Sequence, residues 1–196
     1  MIIRQTDGLR RMVDEFSEFA RMPQPDKSSF DIIKILEEVI LLQKTANSQI
    51  AILKEYRDDP IVCFIDPNLI NQVFNNLFKN AIESIETATK QDLIKSKSDG
   101  IVKVAVSKTE TNILIKIIDN GIGLPNKKNQ LFEPYVTSRE NGIGLGLAIV
   151  KKIIEEHDGY LTLLDAENFH SFEHKGAIAQ VSLPILTEQD GQIQLL

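Results

Sequence analysis

The chain has 196 residues, of which 42% are hydrophobic and 26% are charged, and its formal net charge is −6. This composition is typical of a globular protein with one full domain and an appendage, and it excludes disordered and fibrous chains. An acidic chain offers no basic surface for a phosphate backbone or an anionic membrane, so we expect contact with neither nucleic acid nor membrane.

The single cysteine, Cys63, lies in the apolar run IVCFI and is expected to be a buried, unreactive thiol. No apolar segment of the sequence has the length of a membrane span, and the first residues lack the apolar core of a signal peptide. These features predict a soluble chain in the cytoplasm.

The N-terminal residues predict one amphipathic helix. Apolar residues recur every three or four positions between residues 3 and 20, and Pro23 and Pro25 follow directly. The apolar stripe of a lone helix needs a partner, which is the following domain, a second helix or another chain. We therefore divide the chain into a helix with its linker (residues 1–25), a main domain (26–187) and a tail (188–196).

The main domain alternates helices with pairs of strands. Asp31 and Asp66 are candidate N-caps for the first two helices, and Gly159 is a candidate left-handed cap after the third. The helices are predicted at residues 32–44, 68–87 and 145–156. The strands are predicted at residues 49–56, 61–65, 102–108, 113–119, 160–166 and 177–184. This order favours an α+β fold, a two-layer sandwich with three helices on one face of a mixed, mostly antiparallel sheet.

Two of the segments that connect these elements also carry a prediction. The strands at 102–108 and 113–119 are joined by a short polar turn and should form a hairpin. Residues 88–100 are rich in lysine and serine without periodicity, which predicts an exposed loop without a function.

Two asparagines interrupt the apolar pattern of the longest helix. Asn76 and Asn80 are four residues apart and lie on one face. They are either two solvated amides or neutral oxygens that face a cleft, where an amide oxygen can bind Mg²⁺ beside substrate phosphates.

The segment DNGIG places Asp119 at a strand end, directly before Gly121 and Gly123. It is either an ordinary turn or a site where a carboxylate accepts a hydrogen bond from an exocyclic amine such as that of adenine. In the second case, the two glycines let the backbone approach the ring.

The long loop that follows contains the segment LFEPYVTSRE, with Thr137 and Arg139. The arginine is either solvated or pairs with a terminal phosphate. Gly142, Gly144 and Gly146 then run into an amphipathic helix, where Leu147 occupies the position of the third glycine of a dinucleotide fingerprint. Free backbone amides at a helix N-terminus favour phosphate binding.

Taken together, these segments resemble the nucleotide-binding domain of sensor histidine kinases. QVFNNLFKNAIES resembles the family's N box, DNGIG its first glycine box, LFEPY its F box and GIGLGLAIVKKIIEEH its second glycine box, and KGAIAQVSLP its closing strand. The fold would be the Bergerat type, shared with gyrase-type and heat-shock-90-type ATPases. The N-terminal helix and the short lid are most similar to nitrogen-regulation sensor kinases of the NtrY type.

The resemblance implies ATP and Mg²⁺ as cofactors and a role for each matched residue. Asn80 would be the principal Mg²⁺ ligand, Asn76 a second contact to metal or phosphate, and Asp119 the acceptor that specifies adenine. The lid and the phosphate cradle would be shaped by Gly121, Gly123, Gly142, Gly144 and Gly146. Thr137, Arg139 and Leu147 would be further contacts to the nucleotide.

The resemblance also bears on the reaction. Hydrolysing relatives carry a glutamate at the position of Asn76, and an amide cannot act as that base. We therefore expect transfer of the γ-phosphoryl group to a protein side chain, with Asn76 and Arg139 as the catalytic candidates.

The phosphoacceptor histidine of the family is missing from this sequence. His157 ends a helix, where a partly cationic ring would suit the helix dipole, and His170 and His174 lie in a polar stretch. Residues 3–21 resemble only the second helix of the family's dimerisation hairpin. We therefore expect a truncated chain, a fragment of a longer sensor or the product of a split gene, which receives its acceptor hairpin in trans or within a longer homodimeric protein.

Two other functions remain open. The chain could be a non-catalytic nucleotide-binding fragment that pairs with an intact kinase or a response regulator. A serine kinase of the anti-sigma type on the same fold is disfavoured, because such proteins lack the hairpin helix that FSEFARMP resembles.

Overall fold

The computed structural model describes residues 24–57, 59–126, 128–134, 144–166 and 175–186. The helices are α1 (Ile32–Ala46), α2 (Pro67–Lys90) and α3 (Gly146–Glu156). The strands are β1 (Ser28–Asp31), β2 (Ala51–Glu55), β3 (Val62–Ile65), β4 (Ile101–Lys108), β5 (Asn112–Asp119), β6 (Tyr160–Ala166) and β7 (Gly176–Pro184). The predicted N-terminal helix and the predicted tail lie outside the described residues.

The main sheet has five strands in the order β2-β4-β5-β7-β6. β2 pairs in parallel with β4, and the remaining neighbours are antiparallel. The predicted hairpin is confirmed, because β4 and β5 are joined by a turn in which the Thr109 amide donates to the Asn112 carbonyl at 2.8 Å. The mixed, mostly antiparallel sheet and the α+β class are therefore confirmed.

The three helices cover one face of this sheet and enclose the hydrophobic core. Ile113, Ile115 and Ile117 of β5 are buried, whereas the residues between them are half-buried, as expected for a strand with one covered face. Burial raises the pKa of the Cys63 thiol to about 12, with the nearby Asp31 carboxylate acting in the same direction. The thiol is thus buried and protonated at neutral pH, which confirms the expectation for this residue.

A second, two-stranded sheet was not predicted. β1 pairs antiparallel with β3, from Ser28 opposite Ile65 to Asp31 opposite Val62. The four residues of β1, SSFD, are too few and too polar to show an alternating pattern, so the sequence gives no signal for them. Asp31 ends this strand and caps α1 through a hydrogen bond from the Ile33 amide at 3.1 Å, which confirms its predicted role.

The predicted exposed loop at residues 88–100 is wrong in part. α2 continues to Lys90, and a 3₁₀ helix covers Lys97–Asp99. Ile94 is only 2% exposed and belongs to the core. A single apolar residue between lysines and serines has no periodicity, so its burial is decided by tertiary packing.

The left-handed residue after α3 is Asp158 (φ 58°), and the prediction of Gly159 is wrong. The Gly159 amide donates to the Ile154 carbonyl and the Asp158 amide to the Glu155 carbonyl, which is the hydrogen-bond pattern of a Schellman motif with Asp158 at its left-handed position. Aspartate tolerates this conformation better than most residues. A Cβ atom on Gly159 would lie 2.4 Å from the Ser182 carbonyl oxygen, so the glycine is needed for close packing.

No helix within the described ranges is long and apolar enough to cross a membrane.

Candidate ATP-binding site

The first wall of the site is one face of α2. Asp66 caps this helix by accepting hydrogen bonds from the Asn68 and Leu69 amides at 3.0 and 3.2 Å. Asn76 and Asn80 lie one turn apart on α2 and are half-buried beside its apolar stripe. The structure therefore places both predicted amides on one face at the edge of the core.

The second wall is the end of β5. Asp119 is the last residue of that strand and is 5% exposed. Its Oδ1 accepts a hydrogen bond from the Gly121 amide at 2.9 Å, so the carboxylate shapes the turn that follows. A carboxylate accepts several hydrogen bonds at once, and this contact is compatible with a second donor such as an exocyclic amine.

Ser84 joins these two walls and was missed by the sequence analysis. Its Oγ accepts a hydrogen bond from the Ile122 amide at 3.1 Å. A Cβ atom on Gly121 would lie 2.1 Å from the same oxygen, so this position accepts only glycine. Because Ser84 follows Asn80 by one turn, the four-residue spacing of Asn76, Asn80 and Ser84 was the available signal.

Asn120 was also missed, and its role is structural. It is 1% exposed. Its Oδ1 accepts from the Ile101 amide at 2.7 Å, and its Nδ2 donates to the Asp99 carbonyl at 2.8 Å. These bonds fix the start of β4 against the end of β5 and thereby hold the neighbouring Asp119.

The glycines of the turn allow β7 to pass close by. Gly123 has a φ of +74°, and a Cβ atom there would lie 2.4 Å from the Lys175 carbonyl oxygen. A Cβ atom on Gly176 would lie 1.8 Å from the Asp119 carbonyl oxygen. Gly176 was not singled out from the sequence, because a glycine at a strand start carries no motif.

The third wall is the start of α3. Gly144 adopts a φ of +76°, and Gly146 is the first residue of the helix. The N-cap is Leu145, an apolar residue whose side chain cannot satisfy the first amides of the helix. A Cβ atom on Gly146 would lie 3.7 Å from the Asn76 Oδ1, so the second glycine box faces the N box.

Other predicted residues lie around this start of α3. The side chain of Leu147 is half-buried and packs against the hydrophobic core. Phe132 of the F box lies under the Lys151 ammonium, which is 5.4 Å from its ring centre, and this contact holds the described part of the box against α3. Thr137, Arg139 and Gly142 lie outside the described residues.

The predicted cationic role of His157 is wrong. The ring is 1% exposed, and its Nε2 accepts a hydrogen bond from the Asp66 amide at 2.9 Å. A nitrogen that accepts from an amide carries no proton, so the ring is neutral. Burial lowers the pKa of His157 below its usual range; the nearby Lys27 ammonium acts in the same direction, against the opposing effects of the Ile153 carbonyl, Asp66 and Glu156.

The geometry agrees with the comparisons with known proteins. The family described as histidine kinase-, DNA gyrase B- and HSP90-like ATPase matches residues 65–187. The nitrogen regulation protein NtrY of Azorhizobium caulinodans is 42% identical over 183 residues, which cover 93% of this chain and 22% of that protein. A putative NtrY-like sensor histidine kinase of Rickettsia bellii is 38% identical over 168 residues, 85% of this chain and 26% of that protein. The chain thus spans about a quarter of the length of these relatives.

Solved structures agree on the fold. The catalytic domain of the histidine kinase ThkA superimposes with a TM-score of 0.66 at 25% identity and covers 81% of this chain and 97% of that one. ThkA in complex with the response regulator TrrA gives a TM-score of 0.72 at 23% identity, over 94% of this chain and 49% of that one. Its match to the family model and the agreement in fold show that this chain belongs to the histidine kinase-, DNA gyrase B- and HSP90-like ATPases, and residues 65–187 are the part of its ATP-binding domain that the match covers.

Proposed function

We propose that the chain is the catalytic module of an NtrY-type sensor histidine kinase, which donates the γ-phosphoryl group of ATP to a histidine presented on a helical hairpin. The observation that carries this proposal is that three parts of the fold lie together around one site: one face of α2, the end of β5 and the start of α3. The Asn76 amide faces the start of α3, and Ser84 ties the Asp119 turn to the same helix face.

The chemistry of this arrangement suits a magnesium nucleotide. Asn76 and Asn80 offer neutral amide oxygens, which bind a hard cation together with phosphate oxygens and water. A Cβ at residue 146 would enter the space beside the Asn76 Oδ1, so glycine keeps a gap between this oxygen and the first amides of α3. These amides and the positive end of the helix dipole attract a phosphate group. Asn80 and Asn76 would hold Mg²⁺, which would neutralise phosphate charge during transfer.

The residues of the chain bind and orient the nucleotide, and the nucleophile comes from elsewhere. Asp119 would accept a hydrogen bond from the adenine amine at the closed end of the site, and the Gly144–Gly146 backbone would hold the phosphates. Asn76 is an amide and cannot remove a proton from water, which favours transfer over hydrolysis. In the transfer, an imidazole nitrogen bonds to the γ-phosphorus as the bond between that phosphorus and the ADP oxygen breaks, and ADP leaves.

The acceptor is not His157, because both of its ring nitrogens are engaged in hydrogen bonds inside the protein. His170 and His174 lie outside the described residues, and neither has the sequence context of the family's acceptor. We therefore assign the acceptor to a hairpin on a second chain or on a longer, homodimeric form of this protein. The response regulator bound to ThkA suggests the same class of partner downstream of this module.

A labelling experiment tests the proposal. Purified chain is incubated with Mg²⁺ and ATP labelled at the γ-position, alone and with the phosphoacceptor hairpin of an intact NtrY-type kinase. We expect acid-labile, base-stable label on the hairpin and none on the chain itself. The Asn80→Ala variant, which lacks the metal ligand, should label nothing.

Two outcomes would contradict this assignment. Label on the chain alone would show that it carries its own acceptor. A hairpin that stays unlabelled, under conditions where an intact kinase labels it, would favour a non-catalytic fragment that binds nucleotide and pairs with a kinase or regulator.

A further inference from the structure

A buried histidine connects the two helices of the ATP site at the ends that lie away from the site. The His157 Nε2 accepts from the Asp66 amide at 2.9 Å, and its Nδ1 lies 2.7 Å from the Ile153 carbonyl oxygen. An amide can only donate and a carbonyl can only accept, so the proton is on Nδ1. The ring is thus fixed in one neutral tautomer between the end of α3 and the residue before α2.

Asp66 is the N-cap of the helix that carries Asn76 and Asn80. Its Oδ1 accepts from the amides of the first turn, and its Oδ2 accepts from the Asp26 amide at 3.0 Å. The histidine therefore holds the backbone of a residue whose side chain already fixes the start of α2. A movement of His157 would be passed directly to this helix.

The two helices run antiparallel, and α3 contacts α2 near both of its own ends. His157, after the last residue of α3, bonds to Asp66, before the first residue of α2. At the other end Gly146, the first residue of α3, faces Asn76. Ten residues separate Asp66 from Asn76 and eleven separate Gly146 from His157, so at about 1.5 Å per residue the two spans match in length.

We infer that His157 is a positioning residue for nucleotide binding: by joining α3 to the N-cap of α2, it sets the register of the two helices and so the gap between Gly146 and Asn76. This inference rests on the proposed function of that gap as the phosphate and metal site. The apolar contacts between the helices hold them together but allow sliding, whereas a directed hydrogen bond to a buried amide has one position. Loss of the His157 Nε2 would leave the Asp66 amide buried without an acceptor, which is energetically costly. A shift of α3 that exposes this amide to another acceptor would reduce the cost.

Two substitutions separate this role from a general effect on stability. His157→Gln can present its amide oxygen near the place of Nε2 and should restore the bond to Asp66. His157→Leu fills the space without an acceptor. The matched control is Gln43→Leu, which removes the hydrogen bond of 3.1 Å from Gln43 to Asn75 of α2 and the bond of 3.2 Å that Gln43 accepts from Asn47. It touches no contact between α2 and α3.

Three quantities are measured for each variant: the melting temperature, the Kd for ATP with Mg²⁺, and the backbone amide resonances of Asp66 and Gly146. For His157→Leu we expect both resonances to shift and the Kd to rise about tenfold, which corresponds to about 1.4 kcal/mol. His157→Gln should keep the Kd within about twofold of the wild type, or about 0.4 kcal/mol. Gln43→Leu should lower the melting temperature without moving the Gly146 resonance or the Kd.

The outcomes also separate this inference from the proposed function. If the wild type binds ATP, and His157→Leu is folded with an unchanged Kd and Gly146 resonance, the inference is wrong. If the wild type does not bind ATP, the proposed function fails, and the Gly146 resonance alone decides whether His157 sets the register. If His157→Leu does not fold, His157→Asn takes its place, because its shorter amide cannot reach the Asp66 amide.

Discussion

Gly176 passes so close to Asp119 that a Cβ atom at residue 176 would lie 1.8 Å from the Asp119 carbonyl oxygen. The start of β7 thus supports the residue that we assign to adenine. At Gly146 the situation is different, because the nearest atom to an added Cβ is the Asn76 Oδ1 at 3.7 Å, an ordinary van der Waals distance.

Alanine at these two glycines should therefore separate folding from binding. Gly176→Ala forces the backbone apart and should lower the free energy of unfolding by about 1–3 kcal/mol or more. Gly146→Ala should leave the melting temperature unchanged or slightly higher but weaken ATP binding by about 1 kcal/mol or more, because the methyl group occupies the phosphate gap. Calorimetry of unfolding and of binding checks both. Equal ATP affinity in Gly146→Ala and the wild type would remove this gap from the site.

Asp119→Asn should remove most of the ATP affinity. An amide in place of the carboxylate would lose the charged hydrogen bond that we propose to the adenine amine, at a cost of about 1.5–3 kcal/mol. Asp92→Asn makes the same chemical change at an exposed position after α2 and should have no effect. Titration calorimetry with a non-hydrolysable ATP analogue measures both variants, and unchanged affinity in Asp119→Asn would place the adenine elsewhere.

Asn80→Ala should abolish the Mg²⁺ dependence of ATP binding while the fold stays intact. The substitution deletes the oxygen that we assign to Mg²⁺ from a helix whose packing face is apolar, and alanine is a good helix residue. Asn76→Ala should have a smaller effect, and Asn68→Ala, at an exposed position of the same helix, should have none. Binding curves with Mg²⁺ and with EDTA decide this. If Asn76→Ala and Asn80→Ala both keep wild-type Mg²⁺ dependence, the two amides are merely solvated.

The stability of the domain should fall in mild acid because of His157. Its pKa is lowered in the folded state, so below the ordinary value of about 6.5 the unfolded chain binds a proton that the folded chain excludes. The neutral ring contributes fully to the free energy of unfolding above that pH. This contribution is lost as the pH falls, by up to about 1.4 kcal/mol per pH unit.

Urea unfolding between pH 8 and pH 5.5 measures this slope. His157→Gln does not titrate in this range and should show a smaller fall, because the other ionisable groups are common to both proteins. Parallel curves for the two proteins would mean that His157 is not the group responsible.

The parts of the fold that carry a repeating pattern were predictable from the sequence. The alternation in β5 and the three- and four-residue spacing in α2 report a buried face, and Asp31 and Asp66 marked two helix starts through their capping side chains. β1 and the burial of Ile94 had no such pattern, because each is decided by a partner far away in the chain. The left-handed residue after α3 was misplaced because Gly159 is required by its close contact with Ser182, which leaves Asp158 at the left-handed position.

The same division holds for the site. Asn76, Asn80 and Asp119 were found because polar residues interrupted an apolar pattern or ended a strand. Ser84 and Asn120 act through bonds to backbone groups of other elements. The four-residue spacing from Asn80 places Ser84 on the same helix face but does not show this bond, and Asn120 has no spacing signal at all. His157 was misread because the helix dipole favours a cation at that position, whereas burial against the Asp66 amide favours a neutral ring, and burial is the larger effect.

The small sheet of β1 and β3 has a consequence for how this domain is connected. Val62 pairs with Asp31 at the end of β1, and its carbonyl accepts from the Leu186 amide, at the end of the last described range. The start of β1 and the end of the last described range therefore lie against the same short strand, with Ser28 opposite Ile65 at one end of β3 and Leu186 bonded to Val62 at the other. A unit with adjacent entry and exit points can be joined to different neighbours in evolution without rearrangement of its core. Attachments that lie close together would also let the domain rotate as one body, which suits the transfer that we propose to a histidine on another element.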